Sequence, residues 1–395
     1  MLSNALLLLV AIVKSESPNL AQFPFQLISD RKLNPAILST DKFGEVLLAK
    51  VSLGTPPQTL QVVVDTGSSL FWVRSSDCQS NSCIQQPAFN GTKSTTYKNL
   101  KVVKGGFNVV YGDNTTIECS VSQDSLVLGT IKMQNQPFCE AYSINSTYSA
   151  FDGILGIAPP YTQLSGVDVV PRFTNDSAKV SFWFNRSQSN DIAGTAGQIT
   201  FAGVDEQKFS TPIDYTNVTN TGKWSVPLNQ IRLADGTNAI STPLQVSLDT
   251  GTTLSLLPQP LFDVVNNQMK AVRNGTQYFV PCKDVKLLKP INVTVGQSTY
   301  SLTWEQQVII DLKARSCVSI FQPLDPSLDK LGSILGASFL RNFYSVFDYG
   351  NARIGLAPLS ETFVPTVPQP SSGTSLIFHH RLNLLVLLTI LVSIY

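Results

Sequence analysis

The chain has 395 residues, 43% of them apolar and 14% charged, a balance that excludes a disordered chain and allows two domains with cores of their own. Its 28 basic and 27 acidic side chains leave a formal charge of +1 with no basic run, which excludes the electrostatic footprint of a nucleic-acid binder. Only two histidines occur, His379 and His380, both close to the C-terminus.

The first predicted element is a leader. Ala5 to Val13 is apolar, and Lys14 with the small residues Ser15 and Ser17 follows, the order of a secretory signal peptide over residues 1–17. A buried core segment is the alternative. Residues 18–41, with the dibasic Arg31-Lys32, read as a short pro-region or equally as an N-terminal strand. From Phe43 onward, short runs rich in Val, Ile, Thr and aromatics alternate with Gly, Asn and Pro turns, so the fold class is mostly β. A boundary near Thr211 divides an N-terminal lobe at 42–210 from a C-terminal lobe at 211–360. The best helical signal covers Leu261 to Val272, after Pro258 and Pro260, which can open a helix.

Two segments in this body nearly repeat one another: QVVVDTGSSLFWV from Gln61 and QVSLDTGTTLSLL from Gln245. Each sets one aspartate, Asp65 or Asp249, at the end of an apolar strand. A lone Asp-Thr-Gly is a common strand-end tripeptide. Here, however, an Ile-Leu-Gly follows each aspartate at almost the same distance, Ile154-Leu155-Gly156 in the first half and Ile334-Leu335-Gly336 in the second. One duplicated lobe explains both motifs, their order and their spacing. Each lobe then supplies one carboxylate to a shared site.

The chemistry open to such a site is narrow. With both histidines in the tail, the body lacks a Ser-His-Asp triad, a Cys-His pair and any histidine-based zinc site; no metal and no cofactor are expected. Two carboxylates a few ångströms apart share one proton at acidic pH, so one can take a proton from water while the other polarises a carbonyl. Gly67 and Gly251, lacking side chains, are expected to let their backbone approach the opposite carboxylate and donate an N–H to it. Ser68 and Thr252 add a hydroxyl on the outer side, and Thr66 and Thr250 are expected to hydrogen-bond across the lobe interface.

Six cysteines suit an oxidising compartment. Nearest-neighbour pairing gives Cys78–Cys83, Cys119–Cys139 and Cys282–Cys317, one choice among fifteen connectivities that six cysteines allow. Asn-x-Ser/Thr sequons at Asn90, Asn114, Asn145, Asn175, Asn185, Asn217, Asn274 and Asn292 agree with passage through the secretory pathway.

From about Phe43 to Pro358 the chain resembles the pepsin-like aspartic peptidases, through VVVDTGSS, VSLDTGTT, the two Ile-Leu-Gly segments, the Cys78 and Cys83 spacing, and the closing stretch FLRNFYSVFDYGNARIGLAP. The resemblance implies a bilobed fold with the cleft between the lobes. It also implies Asp65 and Asp249 as a catalytic dyad that holds a lytic water, with protein or peptide substrates. Tyr111 would be the tyrosine of a flap that includes Gly112 and Asp113, with Trp72 as its hydrogen-bonding partner and Phe151 lining an apolar pocket. Asp113 next to that tyrosine would favour Lys or Arg before the cut; a solvated turn residue is the other reading. Asn114 stands where the family often has Gly and Ala337 where it usually has Asp. A glycan on Asn114, or a Cys119–Cys139 bond, would alter the flap.

At the C-terminus, a Pro/Ser-rich stalk and spacer at 361–381 precede an apolar tail at 382–395, too short to span a bilayer comfortably. Small residues Ser371, Ser372 and Gly373 ahead of that tail match a GPI-attachment signal; a short tail anchor is the alternative. The expectation is therefore a monomeric endopeptidase active at acidic pH and tethered to the cell surface. A non-catalytic peptide binder or adhesin on the same fold is the competing reading.

Overall fold

A computed structural model describes residues 26–28, 34–40, 47–84, 87–100, 107–112, 114–129, 131–146, 151–159, 169, 179–185, 197–220, 222–311, 315–326, 332–360 and 393–394. The expected leader, the stalk and all but two residues of the apolar tail lie outside them.

Each aspartate closes the same piece of topology. The strand Gln58–Asp65 runs parallel to Gly153–Gly156, and Leu244–Asp249 runs parallel to Ser333–Gly336; in both pairs the aspartate stands opposite the glycine. The strand that follows each aspartate, Phe71–Arg74 or Ser255–Leu257, pairs antiparallel with the other edge of the Ile-Leu-Gly strand, Trp72 opposite Ile154 and Leu256 opposite Ile334. The Ile-Leu-Gly strand is thus wedged between the two arms of the aspartate loop. Its glycine is a steric requirement: a Cβ on Gly156 would lie 2.5 Å from the Leu70 nitrogen, and one on Gly336 would lie 2.4 Å from the Leu254 oxygen.

Side-chain alternation along Gln58–Asp65 sends Val62 and Val64 into the main core, and Val63 into a separate cluster with Trp72, Tyr111, Ile117 and Ile154. Asp65 shares the face of Val63, which puts it on the side of that second cluster.

The lobes are joined by more than a linker. The closing stretch forms the hairpin Phe343–Asp348 and Arg353–Pro358, and its first strand pairs with Lys179–Phe184 from the first half of the chain. A central sheet therefore crosses the expected boundary near Thr211, with Asp214–Asn217 on its outer edge and Gly197–Phe201 beyond Lys179–Phe184. The backbone of Asn34–Thr40 joins it as a strand between Gly197–Phe201 and Leu47–Leu53. At the hairpin turn, the buried Asp348 accepts from Arg353 Nε at 2.9 Å and Asn351 Nδ2 at 2.9 Å.

Beneath the aspartate loops, Trp224 packs edge-on against Phe347 and Tyr349, with ring centroids 5.2 and 4.7 Å away. The Trp224 indole donates to the Ile157 carbonyl at 3.2 Å and the Tyr349 hydroxyl donates to the same oxygen. Ile157 in turn donates its N–H to the Asp65 carbonyl at 2.7 Å, so Trp224 and Tyr349 support the first aspartate loop through one residue.

The second lobe is built on a sheet around Leu244–Asp249, a smaller four-stranded sheet, and the helix Gln259–Met269. The helix begins and ends earlier than the span Leu261 to Val272. Pro258 caps it and Pro260 fits the first turn, where no N–H is needed. It ends because Lys270 turns left-handed at φ 55° and the Asn266 amide both accepts from the Ala271 N–H and donates to the Ala271 carbonyl. The disulfides are Cys78–Cys83, Cys119–Cys139 and Cys282–Cys317. Among the described residues no helix is long and apolar enough to cross a membrane.

Replacing Gly336 by Ala is expected to cost about 1–3 kcal/mol of unfolding free energy, because backbone oxygens cannot step aside as side chains do. Urea unfolding of Gly336→Ala against the parent protein checks this; equal midpoints would contradict it.

Candidate active site

Asp65 and Asp249 meet at the lobe interface, 0% and 1% exposed, close enough for the charge of Asp249 to act on Asp65. The threonine after each aspartate builds the interface. The Thr66 hydroxyl donates to the Leu248 carbonyl at 2.9 Å and accepts the Thr250 N–H at 2.9 Å. In the mirror arrangement, the Thr250 hydroxyl donates to the Val64 carbonyl at 2.8 Å and accepts the Thr66 N–H at 3.1 Å. Four buried hydrogen bonds thus cross between the lobes and set the two strand ends face to face.

The glycines behave differently from the expectation. Each N–H goes to the aspartate of its own loop, Gly67 to Asp65 Oδ1 at 2.8 Å and Gly251 to Asp249 Oδ1 at 2.8 Å, and not across the interface. A residue two positions after an aspartate is held by the turn itself, so its N–H points back at the nearer carboxylate. The close approach is nevertheless real, since a Cβ on Gly67 would lie 2.5 Å from Asp249 Oδ2. Ser68 and Thr252 stand on the outer side: the Ser68 hydroxyl donates to Asp65 Oδ2, and the Thr252 hydroxyl to Asp249 Oδ2 at 2.7 Å.

Burial dominates the electrostatics. Desolvation, then the negative charge of Asp249, pushes the Asp65 carboxyl well above its ordinary value. Asp249 is also raised by desolvation, against which the Thr252 hydroxyl, the Gly251 N–H and Asp65 itself work. The pair therefore keeps a proton at a pH where ordinary carboxyls have lost theirs.

Above Asp65, the hairpin of Phe107–Val110 and Thr116–Leu128 carries Tyr111 at its turn. The Trp72 indole donates to the Tyr111 hydroxyl at 2.7 Å, and Phe151 packs edge-on against Trp72 with centroids 6.4 Å apart. Tyr111, Trp72 and Phe151 are thus brought into one buried cluster, with Gly112 half-buried beside it. Asn114 is exposed at the turn with φ 64°, a conformation Asn tolerates better than most residues. Asp113 lies outside the described residues. Cys139 stands opposite Trp72 in the sheet, so the Cys119–Cys139 bond links the outgoing flap strand to the strand beside the tyrosine's partner.

Of the sequons, Asn114, Asn145, Asn217 and Asn274 are exposed, while Asn90, Asn185 and Asn292 are half-buried. Asn175 and the attachment candidates Ser371, Ser372 and Gly373 lie outside the described residues. No group of three or more His, Cys, Asp or Glu is placed to hold a metal ion among the described residues.

Two features went unread in the sequence. Arg74 is buried against Asp152, with Nη1 3.4 Å from Oδ1, and donates to the Phe151 carbonyl at 2.9 Å, which fixes the segment leading into Gly153–Gly156. Lys223 lies within electrostatic reach of Asp249. Neither belongs to a motif, so no local pattern in the sequence marks them.

The sequence profile of the eukaryotic aspartyl protease family matches residues 47–359. The chain is 31% identical to a probable vacuolar protease A of Trichophyton verrucosum (strain HKI 0517), over 87% of this chain and 84% of that protein. It is 32% identical to cathepsin E of Aquarana catesbeiana, over 82% and 80% of the two chains, and 34% identical to cathepsin E-B of Xenopus laevis, over 80% and 79%. The chain belongs to the eukaryotic aspartyl protease family. It is an aspartic-type endopeptidase.

Thr250→Val keeps the shape of the side chain but leaves the Val64 carbonyl and the Thr66 N–H without partners, so a loss of about 2–4 kcal/mol is expected. Thr250→Ser, which keeps the hydroxyl, should recover most of it. Equilibrium unfolding of both variants decides; equal losses would contradict a hydrogen-bonding role.

A pH-linked prediction concerns Asp65. Because its folded-state pKa is raised above the ordinary 3.8, the folded protein binds that proton more tightly than the unfolded chain, and stability falls as pH rises past that value. Asn does not titrate. The stability of Asp65→Asn relative to the parent should therefore improve from about pH 4 upward and level off once the dyad is fully ionised. A difference independent of pH, measured by thermal unfolding across that range, would contradict the raised pKa.

Proposed function

We propose that Asp65 and Asp249 are the catalytic dyad and that the protein cleaves peptide bonds at acidic pH. The observation that carries the reading is the buried pair of facing carboxyls, held by the Thr66 and Thr250 hydrogen bonds, whose pKa values burial raises. Such a pair is half-protonated in mild acid. The ionised Asp249 takes a proton from water as that water attacks the peptide carbonyl, while protonated Asp65 donates to the carbonyl oxygen. The tetrahedral diol then collapses, the amine leaves with a proton returned by the dyad, and no acyl-enzyme forms.

Tyr111, Gly112 and Asp113 form the flap in this reading, and Trp72 and Phe151 receive an apolar side chain next to the cut. The buried cluster around Tyr111 supports it. Asp113 would add a preference for Lys or Arg on that side. A glycan on the exposed Asn114 would stand at the flap tip and limit access by bulky substrates.

A route through the secretory pathway is supported by three disulfides with no free cysteine among the described residues. Removal of a leader at 1–17, attachment of a lipid at Ser371, Ser372 or Gly373, and a monomeric state belong to the same proposal.

The test is cleavage of a mixed peptide library from about pH 3 to about pH 6, with and without a statine-type transition-state analogue. Inhibitor-sensitive cleavage is expected, with Asp65→Asn and Asp249→Asn each lowering it about a thousandfold or more. Cleavage that persists in either variant would overturn the assignment.

A further inference from the structure

Arg74 ends the strand Phe71–Arg74 that follows the first aspartate. Along it Phe71 and Val73 enter the main core while Trp72 enters the second cluster, so alternation puts the Arg74 side chain on the face of Trp72. The neighbouring strand approaches closely: Val73 stands opposite Gly153, on which a Cβ would lie 2.1 Å from the Trp72 carbonyl oxygen, and one step on the Arg74 N–H donates to the Asp152 carbonyl at 2.8 Å. Phe151 is thereby set beside both Trp72 and Arg74. Its ring packs edge-on against Trp72, with 6.4 Å between centroids, and its carbonyl accepts from Arg74 Nη2 at 2.9 Å.

The guanidinium serves backbone more than its counter-charge. Nη1 donates to the Pro87 carbonyl at 3.0 Å but reaches Asp152 Oδ1 only at 3.4 Å, and Nε is buried with no partner among the described residues. Asp152 in turn accepts the Gln61 N–H on Oδ2 at 2.8 Å. Burial outweighs the partner's charge in both groups, lowering the Arg74 pKa and raising that of Asp152. A buried ion pair of this geometry is a poor source of stability, since an apolar side chain of similar volume would fill the space as well. What only a planar fork provides is a simultaneous hold on the Pro87 and Phe151 carbonyls beside one carboxylate. That hold passes on to the flap, because Trp72, against which Phe151 packs, donates its indole N–H to the Tyr111 hydroxyl at 2.7 Å.

We infer that Arg74 is a positioning residue for substrate recognition: by fixing the Phe151 carbonyl it keeps the Phe151 ring against Trp72 and so shapes the apolar wall beside Tyr111. Arg74 is only 2% exposed and touches no substrate atom itself. The substrate group it governs is an aromatic or large aliphatic side chain, because a small one makes little contact with such a wall. This rests on Trp72 and Phe151 receiving the apolar side chain next to the cut.

The experiment measures kcat and KM separately for two matched peptides that carry Phe or Ala on the flap side of the cut, with active sites counted by a statine-type inhibitor. The enzymes are the parent, Arg74→Lys, the double variant Arg74→Met/Asp152→Asn, Phe151→Ala, and Phe151→Ala combined with Arg74→Lys. Arg74→Lys keeps a charge beside Asp152 but lacks the fork, and the double variant leaves no buried charge unpaired, so a folding failure of one does not close the test. In both Arg74 variants KM for the Phe peptide is expected to rise about fivefold or more, with kcat within about twofold, while KM for the Ala peptide stays within about twofold. On the Phe151→Ala background, Arg74→Lys should add no further rise. Equal KM changes for the two peptides, or a full additional rise on that background, would overturn the inference and leave the apolar wall standing. If Phe151→Ala itself leaves KM for the Phe peptide unchanged, the wall does not bind substrate and the inference fails with it, as it does if the parent cleaves neither peptide in an inhibitor-sensitive way.

Discussion

Two acidic side chains buried against each other repel and lose their hydration, so they stay together only where something stronger holds the backbone beneath them. Here that restraint is the pair of threonines, Thr66 and Thr250, each of whose hydroxyls donates to a strand carbonyl of the opposite lobe and accepts the N–H of the other threonine. Every polar group in this lattice is satisfied, which makes it rigid in a low-dielectric interface. The carboxyls inherit that rigidity. Their own loops add an N–H and a hydroxyl each, from Gly67 and Ser68 on one side and Gly251 and Thr252 on the other.

The restraint reaches down into the fold. The Ile-Leu-Gly strands fit inside the aspartate loops only because Gly156 and Gly336 carry no side chain, and the first loop rests through Ile157 on Tyr349 at the central hairpin and on Trp224 just before the strand Ser225–Arg232. It also reaches up toward the substrate. Asp65 shares a strand face with Val63, and that face continues into Trp72, Tyr111 and Phe151. The apolar cluster thus stands over Asp65, on the side of the first lobe.

Much of this was legible in the sequence because it is local or repeated. The duplicated Asp-Thr-Gly with its matching Ile-Leu-Gly announced two similar lobes, and the lack of histidine in the body left carboxylate chemistry as the option. The threonine contacts followed from facing two such loops. The destination of the glycine N–H groups did not, because turn geometry, not residue type, aims them. Nor did the central sheet, in which Phe343–Asp348 pairs with Lys179–Phe184, since strand partners distant in sequence leave no local mark. The ends of the helix Gln259–Met269 depended on an Asn266 side-chain clamp that periodicity cannot reveal.

Retention of one proton by the dyad in mild acid can be measured directly by difference titration. Potentiometric titration of the folded parent against the folded Asp65→Asn/Asp249→Asn double variant isolates the protons bound by the pair. One proton is expected to be retained at a pH above the range in which isolated carboxyls titrate. Release of both protons below about pH 4, as from two independent surface aspartates, would contradict it.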